Sequence, residues 1–305
     1  MLTLDESKIR KGRPVGLPYI GSKKRISKKI VQLIIQNFGK DKTVYDIFGG
    51  GGAITAECII NGLDVRYNDL DKTVVDMLEV VTKTDREFLK TLMIGRKEFF
   101  EIMGRQEKTA EDNLKLLVNS FANNRKRYLY NKEIADFKYK LSKDIVDNHN
   151  VFNGYKQTST FKSYIDTHKE HSRYLGRMQQ IVCLQQLELI QELKIFDMHQ
   201  PTTFDYKYFS NVKGAIIYLD PPYEATESFY QENEMNYEDF YDWVVMMSCH
   251  NVVLLSSYNV DDSRFRVVYS FDKVKGKASG GGGKGDNEKL FMVKDNQFEN
   301  NNLLD

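Results

Sequence analysis

The sequence predicts an α/β protein: a doubly wound, largely parallel sheet interrupted by a mainly helical segment. Three observations carry this expectation. Two short apolar runs of strand length, TVYDIF (43–48) and LDVRYND (63–69), flank a four-glycine turn and the helical pattern AITAECIING (53–62), which is the strand–turn–helix–strand grammar of parallel sheets. Between residues 72 and 193 strand-like runs become scarce and helical spacing dominates. At GAIIYLD (214–220) the buried-strand texture returns.

Each element has its own signal. SKKRISKKIVQLIIQNFG (22–39) places apolar Ile26, Ile30, Leu33, Ile34 and Phe38 on one helical face, with Ser22 as the expected N-cap and Gly39 as the stop. In the middle segment, TVVDMLEVVTK (73–83), REFLKTLM (86–93), NLKLLVNSFANN (113–124) and the long SRYLGRMQQIVCLQQLELIQELK (172–194) read as helices. After GAIIYLD come the helix YEDFYDWVVMMSCH (237–250) and the strands NVVLLSSY (251–258), FRVVYSF (265–271) and EKLFMVK (288–294). A second four-glycine run, within KGKASGGGGKGDN (275–287), lacks the Ser or Thr and the following helix of a P-loop, and reads as a mobile loop between strands. Residues 1–71 and 194–305 are thus expected to form one discontinuous sheet domain, and residues 72–193 an insert.

Composition narrows the function. The chain has 305 residues, 41% apolar and 29% charged, as expected of a soluble globular protein. The first residues contain no apolar run of signal-peptide length, and no apolar stretch is long enough to span a bilayer. Cys58, Cys183 and Cys249 are odd in number and form no CxxC pair, which argues against a disulfide framework or a zinc site. A reduced, cytoplasmic location without membrane association or a metal is expected. Net charge is only +1, but the charge is segregated: residues 8–29 hold nine Lys or Arg and no acid, and residues 224–242 hold seven acids and no base. Local potential, not the sum, attracts a polyanion. Two solvated helical faces would give the same counts.

The glycine turn DIFGGGG (46–52) fits neither a dinucleotide fingerprint, since Ile54 or Thr55 stands where the third glycine belongs, nor a Walker loop, since its lysine is absent. It fits D-x-F-x-G-x-G through Asp46, Phe48, Gly50 and Gly52, with Asp69 ending the next strand where a carboxylate can hold a ribose diol. This leaves Gly49 and Gly51 without an assigned role. The motif Asp220-Pro221-Pro222-Tyr223 directly follows a strand, at the carboxyl edge where open α/β sheets bind ligands. An exocyclic nucleobase amine is a poor nucleophile because its lone pair is delocalised. A carboxylate accepting one N–H and a prolyl carbonyl accepting the other favour a geometry in which that lone pair can attack a methyl sulfonium. A tyrosine face can stack on a base taken out of the duplex.

In chain order, LPYIGSKKR (17–25), DIFGGGG, YND (67–69), IFD (195–197), DPPY and LSSYN (255–259) resemble the Dam-like, alpha-group, site-specific DNA adenine-N6 methyltransferases. The resemblance implies a Rossmann-like, S-adenosylmethionine-dependent methyltransferase sheet carrying a helical DNA-recognition insert. It implies that Tyr19 and Lys23 contact the methionine end of the cofactor, that Asp46, Phe48, Gly50 and Gly52 form its loop, and that Asp69 binds the ribose. Asp197 would take the adenine amine, and Asp220 and Tyr223 would hold the target base. The expected reaction is direct in-line transfer from S-adenosylmethionine to N6 of an adenine flipped out of double-stranded DNA. A separately acting cognate restriction endonuclease is a candidate partner, and a monomer or weak dimer is expected.

The insert departs from the pattern of GATC-specific members, having only VFNGYK (151–156) where they carry G-x-F-N-x-P-x-G. Residues 123–140 hold six bases against two acids with interleaved aromatics, which nominates Arg125, Lys126, Arg127, Tyr128 and Asn131 for DNA contact. A solvated helix with a core aromatic stripe would read the same way. An N4-cytosine methyltransferase shares the amine chemistry, although Ser more often opens its motif; a catalytically idle DNA-binding protein of the same fold is a further alternative. A C5-cytosine enzyme is excluded, because no cysteine here follows a proline.

Overall fold

The computed structural model describes residues 1–18, 21–170, 176–222, 235–271 and 287–294. Tyr19, Tyr223, most of the acidic segment and the second glycine run lie outside the described residues. The strands are β1 (Val44–Asp46), β2 (Val65–Tyr67), β3 (Ile216–Leu219), β4 (Val252–Ser257), β5 (Phe265–Ser270) and β6 (Lys289–Val293). They form one sheet in the order β2-β1-β3-β4-β6-β5. The β2–β1, β1–β3 and β3–β4 pairs are parallel, and β6 runs antiparallel to both β4 and β5. The chain therefore crosses from β1 outward to β2 and later back to β3. That reversal opens a crevice at the carboxyl ends of β1 and β3, where doubly wound sheets bind ligands.

Helices α1 (Ser27–Phe38), α2 (Ala53–Ile60) and α10 (Tyr237–Ser248) cover the sheet. Side-chain alternation along the strands decides which face each one takes. Ile216 and Tyr218 of β3 pack with Ile30, Leu33 and Ile34 of α1 and with Ile54 and Cys58 of α2. Ile217 and Leu219, one residue out of phase, pack with Phe240, Trp243, Val244 and Met247 of α10. All four β3 residues are buried, as a central parallel strand requires. Each fully buried Ile or Leu of α1 contributes about 2 kcal/mol to this layer.

The middle segment forms α3 (Lys72–Lys83), α4 (Arg86–Thr91), α5 (Arg96–Met103), α6 (Ala110–Val118), α7 (Lys132–His149), α8 (Ser159–Thr167) and α9 (Gln179–Leu193). Thr109 and Asp112 form a reciprocal capping box at the start of α6, and Asn150 ends α7 in the left-handed region. Its core is continuous with the sheet: Leu17, Ala56 and Tyr67 share one apolar cluster with α3, α6, α7 and α9. Three helices, α5, α7 and α8, are not among those read from the sequence; α5 and α8 are only two turns long, and α7 falls largely in the segment read as a DNA contact, where a helix was the alternative. Among the described residues no helix is long and apolar enough to cross a membrane.

The amino-terminal helix starts later than its periodicity suggests. Ser22 caps a separate 3-10 turn, Lys23–Arg25, by accepting from the Lys24 amide, and α1 begins at Ser27. The β1–α2 turn then gives roles to glycines outside the motif. Gly50 and Gly52 sit at φ 47° and 72°, the left-handed conformation that favours glycine. Gly49 and Gly51 are there for close approach. A Cβ on Gly49 would lie 2.3 Å from the Tyr67 ring, and one on Gly51 would lie 3.2 Å from the Leu17 carbonyl oxygen. Tyr67 cannot yield easily, because it is buried and its hydroxyl donates to the Gly50 carbonyl at 2.8 Å. Gly49→Ala is expected to destabilise the fold by about 2 kcal/mol through overpacking, read as a lowered urea midpoint. An unchanged midpoint would mean that Tyr67 moves aside at no cost.

Candidate active site

Four strand ends present polar groups along one edge. Asp46 ends β1, Asp69 follows β2, Asp220 follows β3, and Ser256 lies near the end of β4. Parallel register sets their heights, with Asp46 opposite Tyr218 and Leu219 opposite Leu255.

Asp46 anchors the glycine turn from below. Its Oδ2 accepts from the Thr55 amide at 3.1 Å and the Thr55 hydroxyl at 2.7 Å, which ties the end of β1 to the first turn of α2. Its Oδ1 is buried without a hydrogen-bond partner. Burial pushes the Asp46 carboxyl up to about 7, against the lowering effect of the Thr55 bonds. Phe48 is half-buried, edge-on to Phe240 and tilted against Tyr206. Asp69 shapes the loop from the other side. Its Oδ2 accepts from the Gly50 amide at 2.7 Å and its Oδ1 from the Asp71 amide at 2.8 Å. Burial pushes its carboxyl up to about 6 despite those bonds. Each Asp69 oxygen keeps a second lone pair for a ligand hydroxyl. Ile195 and Phe196 pack near Gly52 and against Tyr67, while the exposed Asp197 side chain lies 4.0 Å from Lys194 and the chain then passes His199, on Asp64 before β2, to Thr202, bridged to Asn68 after it.

Lys23 meets Asp220. The 3-10 turn capped by Ser22 aims the Lys23 side chain inward, and its Nζ donates to Asp220 Oδ1 at 2.6 Å. Lys23 is 8% exposed and the Asp220 side chain 16%. Burial opposes the lysine charge, but Asp220 and nearby Glu288 outweigh it and hold its pKa above the ordinary value. For Asp220 burial is the larger influence and pushes the carboxyl up to about 6, with Lys23 opposing. At neutral pH the aspartate is therefore ionised and able to accept an N–H. Behind it, the Tyr237 hydroxyl at the start of α10 donates to the Pro222 carbonyl, so the diproline turn is pinned from a second element. Next to Lys23, Lys24 Nζ donates to Gln186 Oε1 of α9 at 2.6 Å and to the Gly16 carbonyl at 3.3 Å. Burial lowers the Lys24 pKa to about 8. One turn thus touches both the sheet edge and the helical segment.

The structure brings Lys23, Asp46, Phe48, Gly50, Gly52, Asp69 and Asp220, with the diproline turn, to this edge, but not Asp197, whose side chain is exposed beside Lys194. Tyr19 and Tyr223 lie outside the described residues. The set suits an adenosine carrying a cationic amino-acid tail. An unpartnered buried carboxylate oxygen at Asp46, spare acceptor capacity at Asp69 and a positive-φ glycine backbone are what such a ligand would use.

The basic segment divides differently from its sequence reading. Residues 120–128 form a tight loop closed by a bridge between Ser120 and Tyr128 and by the Phe121 amide donating to the Arg127 carbonyl at 2.7 Å. Ala122, Asn123 and Arg125 all have positive φ, a strain of about 1 kcal/mol each. The Ser120 hydroxyl, accepting from the Arg125 amide, and Asn124 Oδ1, accepting from the Lys126 and Arg127 amides, hold them there. Lys126 and Arg127 are exposed, while Arg125 is half-buried and donates to Asn113 Oδ1. One expected contact is corrected. Tyr128 is a core residue, 6% exposed, with its hydroxyl donating to the Ile94 carbonyl and its ring edge-on to Phe99 and Tyr130, so it cannot stack on a base as placed. Asn131 uses Oδ1 to cap α7 by accepting from the Ile134 amide. The exposed aromatic of the loop is instead Phe121, 57% exposed. The unusual backbone of this loop inverts the inside and outside read from sequence for Tyr128, while Asn131 stays exposed and an N-cap signal just before a helical pattern could have found its capping role.

No curated protein matches the chain. Among solved structures the chain is similar to the rRNA methyltransferase aviRa from Streptomyces viridochromogenes, in structures at 1.5 and 2.4 Å, with 11% identity, 95% of this chain and 93% of that chain covered, and a TM-score of 0.39. A likeness at that level carries nothing about site or target. The family model described as D12 class N6 adenine-specific DNA methyltransferase matches residues 19–274. That span takes in the glycine turn, Asp69, the diproline turn and every strand except β6, and on it this chain belongs to the D12 class of N6 adenine-specific DNA methyltransferases, which methylate N6 of adenine in DNA.

Proposed function

We propose that the chain methylates adenine within a specific sequence of duplex DNA, with the base rotated out of the helix into the crevice above β1 and β3. The observation that carries this reading is the ionised Asp220 beside the diproline turn, paired to Lys23 through one oxygen only. S-adenosylmethionine, held by Asp46, the Gly50–Gly52 backbone and Asp69, would supply an electrophilic methyl group on a sulfonium. Asp220 Oδ2 and the Pro221 carbonyl each accept one N–H of the exocyclic amine. This fixes the amine's orientation and favours the geometry in which its lone pair can attack. No residue of the chain takes the methyl group in this reading, and the departing proton leaves to water. Tyr223 would stack on the extrahelical base, and Tyr19 and Lys23 would contact the methionine end of the cofactor.

Residues 72–193 are proposed as the target-recognition part, and residues 1–71 with 194–305 as the catalytic part. Lys126 and Arg127 would meet phosphates, and exposed Phe121 would wedge against the stack that the flipped base leaves. The strained backbone around Phe121 supports a functional loop, since a loop with only a structural role has little reason to hold three left-handed non-glycine residues.

Four measurements test this. Transfer of labelled methyl to duplex DNA should appear in N6-methyladenine, and Asp220→Asn should lower kcat by about a hundredfold or more while DNA binding persists; label on cytosine, or undiminished turnover, would overturn the assignment. The requirement for an anionic Asp220 gives kcat/KM an acid limb, with activity lost as pH falls through about 6 and retained above it. A profile flat across that range would remove the carboxylate from the mechanism. Finally, the double variant Lys126→Ala, Arg127→Ala should weaken DNA binding and reduce the slope of log affinity against log salt by about 2. In parallel, Phe121→Ala should reduce the fluorescence rise of 2-aminopurine placed at the target position.

A further inference from the structure

Glu288 lies beyond the span matched by the family model and carries no motif of its own, yet it reaches the centre of the site. It immediately precedes β6, and its carbonyl accepts from the Phe271 amide at 2.9 Å, which fixes its backbone against the end of β5. Antiparallel pairing of β6 with β4 sets Ser256 opposite Leu290 and Ser257 opposite Lys289. The Glu288 side chain, 11% exposed, accepts from the Ser256 hydroxyl at 2.7 Å through Oε1, and the same oxygen lies 3.6 Å from Lys23 Nζ. Lys23 is therefore held between two carboxylates, Asp220 at 2.6 Å and Glu288 at 3.6 Å.

A second buried acid here is costly for stability alone. It repels Asp220, and both carboxylates share one ammonium. Its geometric effect is specific, however. A lysine tethered only to Asp220 could swing on its four-carbon stem across either carboxylate oxygen, competing with the target amine. With Glu288 fixing the far side of the ammonium and Ser256 fixing Glu288, Lys23 stays on Asp220 Oδ1 and leaves Oδ2 for the amine. We infer that Glu288, oriented by Ser256, is a positioning residue for methyl transfer that acts through Lys23 on Asp220. The inference rests on the role proposed for Asp220.

The charged and titratable groups around Asp220 are Lys23 from the 3-10 turn, Glu288 before β6, Tyr218 in β3, Asp46 at the end of β1 and Asp69 after β2. Glu288 raises the Asp220 pKa by like-charge repulsion. Removing that charge without removing volume should therefore move the acid limb of kcat/KM to lower pH, although the plateau rate falls. Such a combination is not expected of general loosening.

The test uses the full-length enzyme with Glu288→Gln, Ser256→Ala and Asp220→Asn assayed side by side on duplex DNA. For Glu288→Gln, kcat is expected to fall by about tenfold, with KM for DNA and the calorimetric Kd for S-adenosylmethionine within about twofold of the parent. Its acid limb should shift downward. Ser256→Ala should lower kcat in the same direction by a smaller factor, and it decides the matter if Glu288→Gln does not fold. An unchanged kcat, a raised KM at unchanged kcat, or an unmoved acid limb overturns the inference. If Asp220→Asn still transfers methyl, the reading of Asp220 has failed; if it is inactive while Glu288→Gln behaves as the parent does, only the role of Glu288 falls.

Discussion

A carboxylate that must be ionised, in a place where burial favours the neutral acid, is the constraint on which the rest of the site depends. Asp220 follows the most buried strand of the sheet, and desolvation raises its pKa toward neutrality. An ammonium alongside is the direct physical remedy. The fold supplies it from the far end of the chain: Lys23 is separated from Asp220 by 197 residues, and its Nζ lies 2.6 Å away. Bringing a charged side chain that deep requires a backbone that turns inward. The Ser22-capped 3-10 turn provides it before α1 resumes along the sheet.

The surrounding structure can be read as support for that pair. The Leu17 amide donates to the Gly51 carbonyl at 2.7 Å, so the amino-terminal segment is stitched to the glycine turn just before the lysine. Gly51 must be small there, and Gly49 must be small to admit Tyr67. Tyr67 in turn braces Gly50, whose amide is held by Asp69. A run of four glycines thus serves two purposes, left-handed backbone at two positions and close packing at the other two. The helical segment is not a separate lobe joined by linkers, since α3 and α9 share their apolar cluster with Ala56 and Tyr67. Lys24 carries the connection into the polar layer through Gln186.

What was legible in the sequence follows from how local each signal is. TVYDIF, GAIIYLD and NVVLLSSY are continuous apolar runs, and burial on both faces of a parallel strand needs nothing more than that; β1, β3 and β4 lie within them. The glycine turn and the aspartate–diproline motif are contiguous residues whose chemistry is intrinsic. Tyr128 was misread because exposure in a loop depends on backbone sign. Three positive-φ residues within four positions, Ala122, Asn123 and Arg125, break the alternation that a sequence reading assumes, with Tyr128 inward and Phe121 outward. Glu288 was invisible for another reason. It is one acid among many, and only pairing of β4 with β6 gives it a neighbour in Ser256.

The sequence by itself determined the fold class, the family resemblance, and the identity of the aspartates at the ends of β1, β2 and β3, because these depend on periodicity and on contiguous motifs. Tertiary structure alone decided that Lys23 is an inward-facing partner of Asp220, that Glu288 and Ser256 join it, and that Phe121 and not Tyr128 faces solvent. Each of these is a contact or an exposure between residues far apart in the chain. Such relations are set by strand register, turn geometry and the sign of φ, which no local pattern of residue types encodes.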